Sequence, residues 1–304
     1  MAKHILITGG TGFIGQHLCP ELLKRGDRLT VFSRQPAAQV RALCGNVNVT
    51  DRLDRIENLD TPIDAVINLA GEGIAEKRWS EKRKMALWHS RIDLTHTLVD
   101  QLSAPKTPPD CLISASAIGF YGNQGDQTVT EKTEPFDEFS HRLCAAWEET
   151  AMRAASRGIR VCLCRTAPVL GPEAGVIAKL RLPFQLGLGG RLGTGTQYMP
   201  WIHIRDEVRA ILFLLDSETA EGPYNLCAPS PVTNAQFTQT FARVLHRPAM
   251  LPVPETALKL MLGEMSRMLL TGQKAYPERL LEAGFEFDYP DLETALRDVL
   301  GKRG

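Results

Sequence analysis

Apolar positions along this chain follow two alternating rhythms. Ile5, Leu6 and Ile7 form a short apolar run that stops at a glycine-rich turn, and a helical pattern follows from Phe13 to Arg25. Strand-like runs recur at Arg28 to Ser33, Ile63 to Leu69, Cys111 to Ser116 and Ile159 to Arg165. Two long helical patterns lie among them. Trp79 to Leu102 carries Met85, Trp88, Ile92 and Leu98 on or near one stripe, and Phe139 to Arg157 spaces Leu143, Trp147 and Ala151 four residues apart. Residues 36–62 are weakly patterned, with one short apolar stretch near Val47 to Val49. Apolar strands joined by helices predict an α/β fold on a doubly wound parallel sheet.

The second half breaks this rhythm. Pro and Gly cluster over 168–200, with Gly187-Leu-Gly-Gly190 and Gly193-Thr-Gly195. Helical stretches follow near 206–216, 234–245, 255–270 and 291–300, with a short strand at Pro223 to Leu226. The pattern divides the chain into a nucleotide-binding domain at 1–165 and a smaller, mostly helical substrate or lid region at 166–304, whose segments can interleave with the first. Ligands of such sheets sit at the carboxyl ends of the strands.

The first turn carries the chemistry. Residues 4–15 read His-Ile-Leu-Ile-Thr-Gly-Gly-Thr-Gly-Phe-Ile-Gly, with glycines at Gly9, Gly12 and Gly15. Such a turn needs a positive φ, lets the backbone approach a pyrophosphate, and packs the helix tightly on the strand. The helix start then offers free N–H groups to phosphate. The end of the second strand separates two nucleotides. NAD sites place an Asp or Glu there for the ribose 2′-hydroxyl, and this chain has Ser33-Arg34. A guanidinium grips a 2′-phosphate through paired hydrogen bonds, so the expected cofactor is NADP(H).

Charge and composition narrow the partners. The 304 residues hold 35 basic and 35 acidic side chains, so nothing favours a polyanion, and no nucleic-acid partner is expected. No apolar run reaches the length of a membrane span, and the first strand begins too soon to leave room for a signal peptide. A cytoplasmic protein with a small-molecule substrate is expected; the oligomeric state stays open, a homodimer being one option. The seven cysteines are scattered without a C-x-x-C, and Cys111, Cys162 and Cys164 lie in strand runs, so they read as buried thiols rather than metal ligands.

Several segments together resemble the extended short-chain dehydrogenase/reductase superfamily, which includes the nucleotide-sugar epimerases. Gly9-Gly-Thr-Gly-Phe-Ile-Gly15 matches its cofactor loop, and Ile67-Asn-Leu-Ala-Gly71 its N-x-A-G/A turn after strand four. Arg165 to Pro172 is similar to its R-x-x-N-x-Y-G-P segment, with Pro168 replacing the Asn. Trp201 to Asp206 resembles its F-I-H-V-x-D segment, and Pro223 to Leu226 its Y-N-I/V strand. More narrowly, four segments resemble the atypical bacterial group named epimerase family proteins. These are Asn68 to Glu72 followed by Arg78-Trp79, Cys144 to Glu148, Leu186 to Gly190, and Gly272 to Arg279. The resemblance implies a Rossmann cofactor domain with contacts from Gly9, Gly10, Thr11, Gly12, Phe13 and Ile14 at the pyrophosphate, from Ser33 and Arg34 at the 2′-phosphate, and with Gly15 among the cofactor-binding residues. It further implies Asn68, Leu69, Ala70, Gly71 and Arg165 as cofactor contacts. Arg91, standing where the superfamily has an Asn, could reach a phosphate or the nicotinamide ribose.

That superfamily moves its proton with a Tyr-x-x-x-Lys pair and a Ser, the Lys lowering a tyrosine pKa that is ordinarily near 10. This chain lacks the pair. Tyr121, Tyr198, Tyr224, Tyr276 and Tyr289 are followed four residues on by Gly125, Ile202, Ala228, Leu280 and Glu293. With Glu148 setting the register, Ser140 falls at the Tyr position and Cys144 at the Lys position. Ser114-Ala-Ser116 resembles the family's serine stretch, and Tyr121-Gly122 its Y-G, one residue late. Ser116 and Tyr121 are therefore the catalytic candidates; a strand-end cap and a packed loop ring are their structural alternatives. Glu72, Trp201 and His203 are substrate candidates, although Glu72 also reads as a loop charge and His203 as a buried ring beside a helix. The expected function is an NADP(H)-dependent oxidoreductase or epimerase-like enzyme acting on a small polar, sugar-like molecule. The alternative is a non-catalytic NADP(H)-binding redox sensor or scaffold, which the absent pair favours. A strict sugar-nucleotide epimerase ranks below both, because it would use that pair twice.

Overall fold

The computed structural model describes residues 2–54, 61–102, 108–172 and 175–302. Residues 55–60 of the weakly patterned stretch lie outside these. The chain opens with β1 (His4–Thr8), α1 (Phe13–Lys24), β2 (Arg28–Phe32), α2 (Ala37–Cys44), β3 (Asn48–Thr50) and β4 (Ala65–Asn68). It continues through α3 (Glu81–Trp88), a π-helical turn (His89–Asp93), α4 (Leu94–Leu102), β5 (Cys111–Ala117), β6 (Thr128–Val129), α5 (Phe139–Met152) and β7 (Arg160–Thr166). Then follow β8 (Val169–Gly171), α6 (Gly175–Gln185), β9 (Ile202–His203), α7 (Ile204–Asp216), β10 (Gly222–Leu226) and α8 (Asn234–Leu245). The last elements are α9 (Glu255–Leu262), α10 (Arg267–Leu270), β11 (Lys274–Ala275), α11 (Glu278–Glu282) and α12 (Leu292–Val299).

Seven strands form one parallel sheet in the order β10-β7-β5-β4-β1-β2-β3. Both faces are covered, which is why the strands read as continuous apolar runs. Ile5 and Ile7 point into the layer shared with α1, α2 and α7, whereas Leu6 points into the layer shared with α4 and α5. The same alternation places Cys162 and Cys164 in the first layer and Val161 and Leu163 in the second. All seven cysteines are buried free thiols. The strand order turns back between β1 and β4, and the crevice at such a point is where these sheets bind ligands.

The end of the predicted first domain, residue 165, falls inside this sheet. α7 and β10 return from the second half to complete it, and Gly222–Leu226 pairs with Cys162–Thr166 of β7. A separate core of α6, α8, α12 and Trp201 forms the C-terminal layer. A capping box fixes the start of α8: Thr233 Oγ1 accepts from Gln236 N–H, and Gln236 Oε1 accepts from Thr233 N–H. Among the described residues no helix is long and apolar enough to cross a membrane.

One element departs from its predicted form. The stretch Trp79 to Leu102 is not one continuous α-helix. Ser80 caps α3 by accepting from Arg83 N–H at 3.2 Å, and the wide turn at His89–Asp93 then offsets α4 from α3. A π-turn holds an extra residue, so the faces before and after it no longer form one stripe. Leu98 packs in the sheet layer, and Trp88 and Ile92 join a satellite core with Trp79 and Leu143. Met85, predicted on the stripe, is 52% exposed.

Candidate functional site

The glycine turn sits at the point where the strand order reverses. Gly9 has φ +71°, and a Cβ on it would lie 2.6 Å from the carbonyl carbon of Leu69, beyond the end of β4. A Cβ on Gly15 would lie 2.4 Å from the Gly10 carbonyl oxygen, and one on Gly10 would lie 2.9 Å from Val31 Cγ1. The turn is thus packed so closely that side chains at these positions would force it apart. Gly12 is the N-cap of α1 in extended geometry, and no side chain caps the helix. The first-turn N–H groups beyond it have no intrahelical carbonyl to bond and carry the positive end of the helix dipole. Thr11 turns its carbonyl to Gln16 Nε2 at 2.7 Å. The Phe13 ring packs against Gly171, where a Cβ would lie 2.5 Å from its tip, and so links the turn to β8.

At the end of β2, Ser33 is buried. Its N–H donates to the Thr50 carbonyl at 2.9 Å and its hydroxyl accepts from Gln35 N–H at 3.1 Å. Arg34 is exposed and has no hydrogen-bond or ion-pair partner among the described residues.

The end of β4 is held from below. Asn68 is fully buried; its Oδ1 accepts from Thr8 Oγ1 at 2.6 Å, and its Nδ2 donates to Thr95 Oγ1 at 2.9 Å and Ser114 Oγ at 3.3 Å. Its side chain therefore ties β1, β4, β5 and α4 together and positions Leu69, Ala70 and Gly71 above it. Glu72 is exposed, yet its carboxylate is committed to Arg83, which also donates to the Gly73 carbonyl at 2.6 Å. Arg91 emerges from the π-turn, and its Nη2 donates to the Glu72 carbonyl at 2.8 Å.

The catalytic candidates occupy a different environment. Arg165 Nε and Nη2 grip both oxygens of Glu148 at 2.9 and 2.8 Å, and Nη1 donates to the Tyr121 hydroxyl at 2.9 Å. Its guanidinium lies 3.5 Å from the Phe120 ring centroid. Arg165, placed among the cofactor contacts by the family resemblance, is 5% exposed and its guanidinium is taken up by Glu148 and Tyr121. The fully buried Tyr121 donates in turn to Asn225 Oδ1 at 2.7 Å. Burial pushes its phenol up to about 12, opposite to the direction a proton-transfer tyrosine needs. Tyr121 therefore sits as the packed ring of its structural alternative, with its hydroxyl held between Arg165 and Asn225. Ser116 donates to Glu148 Oε1 at 2.6 Å and is 5% exposed.

On α5, Ser140 donates to Glu138 Oε1 at 2.7 Å, and Glu138 Oε2 accepts from Arg267 Nη2 at 2.8 Å. Burial, then the neighbouring Glu148, push the Cys144 thiol up to about 12, so this position holds a neutral group where a lysine would be charged. The two substrate candidates from the second half are also core residues. His203 caps α7, its Nδ1 accepting from Arg205 N–H at 3.2 Å; Nε2 meets Asp298 at 3.1 Å and the ring stacks on Tyr289 at 3.8 Å. Burial lowers its pKa. Trp201 is 1% exposed within the C-terminal core.

Sequence reasoning passed over the function of Glu148 and of the Thr95–Trp147 pair. Glu148 lies beside Trp147 on the face that also carries Leu143 and Ala151, and a carboxylate on a buried face needs a cation. Arg165 in a buried strand was that cation. Trp147 Nε1 donates to Thr95 Oγ1 at 3.0 Å, a link with no sequence signature.

Residues 5–227 match the NAD dependent epimerase/dehydratase family, and residues 253–299 match a domain of unknown function, DUF1731. The chain belongs to the NAD dependent epimerase/dehydratase family. Its relatives within this family include the epimerase family protein SSP1921 of Staphylococcus saprophyticus, 39% identical over 300 residues that cover 98% of this chain and 99% of the relative. The epimerase family protein YfhF of Bacillus subtilis is 38% identical over 301 residues, covering 99% of both chains. Among solved structures, the human epimerase family protein SDR39U1 (isoform 2) with NADPH superposes with TM-score 0.89 at 32% identity, over 99% of this chain and 100% of that one. The UDP-glucose 4-epimerase of Thermotoga maritima shares the fold with TM-score 0.78 at 20% identity, over 98% of each chain. The resemblance to epimerase family proteins seen in the sequence is therefore met, as is the doubly wound α/β fold.

Proposed function

We propose that this chain binds NADP(H) across the carboxyl ends of β1, β2 and β4 and acts on a small polar, sugar-like substrate, reducing it with NADPH or oxidising it with NADP+. Arg34 carries the reading. It is an exposed guanidinium without a partner at the end of β2, beside a helix start that has no side-chain cap. A carboxylate there would repel a 2′-phosphate, whereas a guanidinium binds one through two parallel hydrogen bonds. Gly10, Thr11, Gly12, Phe13 and Ile14 would hold the pyrophosphate by backbone, and Leu69, Ala70 and Gly71 would line the adenosine side. The solved human relative with NADPH supports this choice of nucleotide.

Bound NADPH would supply the hydride. The chain would align the substrate and pass one proton. Ser116, near the carboxyl end of β5, is the candidate side chain, and its hydroxyl would have to turn from the carboxylate of Glu148 to the substrate to do so. A second reading, a redox sensor with little turnover, is favoured by one observation. Ser116, Glu148, Arg165, Tyr121 and Asn225 satisfy one another out of water.

Arg34→Asp tests the assignment. It should raise the NADPH dissociation constant about tenfold or more, since one charge-assisted contact is lost and one repulsion added. The dissociation constant for NADH should change little. Equal losses for both nucleotides would remove Arg34 from the 2′-phosphate site.

A further inference from the structure

The register position of a lysine on α5 is filled by the neutral thiol of Cys144, yet a cation reaches that face from elsewhere. Arg91 leaves the π-turn at His89–Asp93 and lays its guanidinium 5.2 Å from the ring centroid of Trp147. Trp147 is three residues after Cys144, so the two share one face of α5. The same guanidinium abuts the loop after β4, for a Cβ on Gly71 would lie 3.1 Å from Arg91 Cζ and 3.3 Å from Nε. Arg91 thus spans from the cofactor side of the crevice, at Gly71, to the α5 face where the lysine is missing.

Its own contacts leave its charge unanswered. Nη2 donates to the Glu72 carbonyl at 2.8 Å, and Nη1 has only long contacts of 3.3 Å to the Leu87 carbonyl and Ser90 Oγ. The Glu72 carboxylate goes to Arg83. Among the described residues no carboxylate pairs with Arg91, and its Nε has no hydrogen-bond partner. Burial disfavours the charged form of this half-buried group. An arginine stays charged under such conditions, so the cost of its burial calls for an oxygen-rich ligand. The position is also stiff. Trp147 beneath it is anchored by Thr95, and Thr95 is held by Asn68.

We propose that Arg91 supplies, from the π-turn, the fixed positive charge that α5 lacks, and that it holds the nicotinamide half of the bound dinucleotide through its ribose hydroxyls and adjoining phosphate. The π-turn is what makes this possible, because it shifts Arg91 off the face it would hold in a continuous helix. The inference rests on the cofactor reading above and assigns a residue to the half of the nucleotide that Arg34 does not touch.

Two probes separate the halves: NADPH, and adenosine 2′,5′-bisphosphate, which carries the 2′-phosphate but no nicotinamide ribose. Calorimetric titration of Arg91→Gln should show NADPH binding weakened about tenfold or more, the loss of one charge-assisted contact, with bisphosphate binding unchanged. Arg91→Lys should recover part of the NADPH affinity, because it restores charge without the planar fork. Equal weakening of both ligands in Arg91→Gln would mean that Arg91 acts on the fold or on the adenosine half, and would overturn the proposal. Unchanged NADPH binding would overturn it as well. Failure of the unaltered protein to bind either probe would instead overturn the cofactor reading itself, and this one with it.

Discussion

On the β1–β2 side of the crevice, Arg34 stands in solvent without a partner and the first turn of α1 has no side-chain cap. On the β5–β7 side, Ser116, Glu148, Arg165, Tyr121 and Asn225 are all buried and bonded to one another. Both sides carry the residue types expected of a nucleotide-dependent enzyme. They differ in whether water or protein satisfies them. Polar groups left to solvent around a packed glycine turn are free to take a ligand. Polar groups already satisfied in the core have their bonds committed to the fold, and removing one partner leaves the other buried and unpaired. The β1–β2 side is therefore open to a ligand, and the side chains of the β5–β7 side are bonded to one another.

The largest way to break this contrast is Glu148→Ala. It strands the Arg165 charge and the Ser116 hydroxyl in the core, and should cost about 3–5 kcal/mol of stability. Chemical denaturation measures it, with Arg34→Ala as the partner experiment, expected to stay within about 0.5 kcal/mol. Similar losses in the two variants would erase the distinction.

Glu207 sharpens the contrast from the sheet side. It is fully buried, with Thr166 Oγ1 donating to its Oε1 at 2.9 Å, and burial pushes its carboxyl up to about 8 from an ordinary 4.5. The folded state thus binds this proton more tightly than the unfolded chain. The contribution of Glu207 to stability is complete below about 4.5 and is lost as pH rises towards about 8. Within that window each pH unit costs about 1.4 kcal/mol. Glu207→Gln should remove the slope, so its melting temperature should gain on that of the unaltered protein as pH rises. Parallel melting curves across this range would show that Glu207 is ionised in the folded protein.

A smaller effect than that of Glu148→Ala belongs to Tyr121→Phe, which deletes one hydroxyl between Arg165 and Asn225. A loss of about 1 kcal/mol in stability is expected, with NADPH affinity unchanged. A large fall in turnover at constant stability would return Tyr121 to the chemistry.

Much of the fold was legible because both faces of the sheet are covered. Ile5 to Ile7 and Cys111 to Ser116 show as apolar runs whatever their register, and Gly9 and Gly15 mark a turn that no other residue fits. Arg34 was legible for the same local reason, as a charge at a strand end. The other half was not. Arg165, Tyr121, Trp201 and His203 matched family segments, but a motif does not say whether a side chain meets solvent or another element. The sign available was Glu148, a carboxylate beside the apolar positions of α5, which implied a buried cation nearby. The π-turn left no sign at all, since Trp79 to Leu102 reads as helix straight through it.

Titration of the protein with NADPH and, separately, with NADH, following nicotinamide fluorescence, probes the open side of the crevice. Saturable binding of NADPH at concentrations where NADH shows little would bear out a cofactor site that recognises the 2′-phosphate, which Arg34→Asp then assigns to Arg34. Equal affinity for the two, or no binding of either, would contradict it.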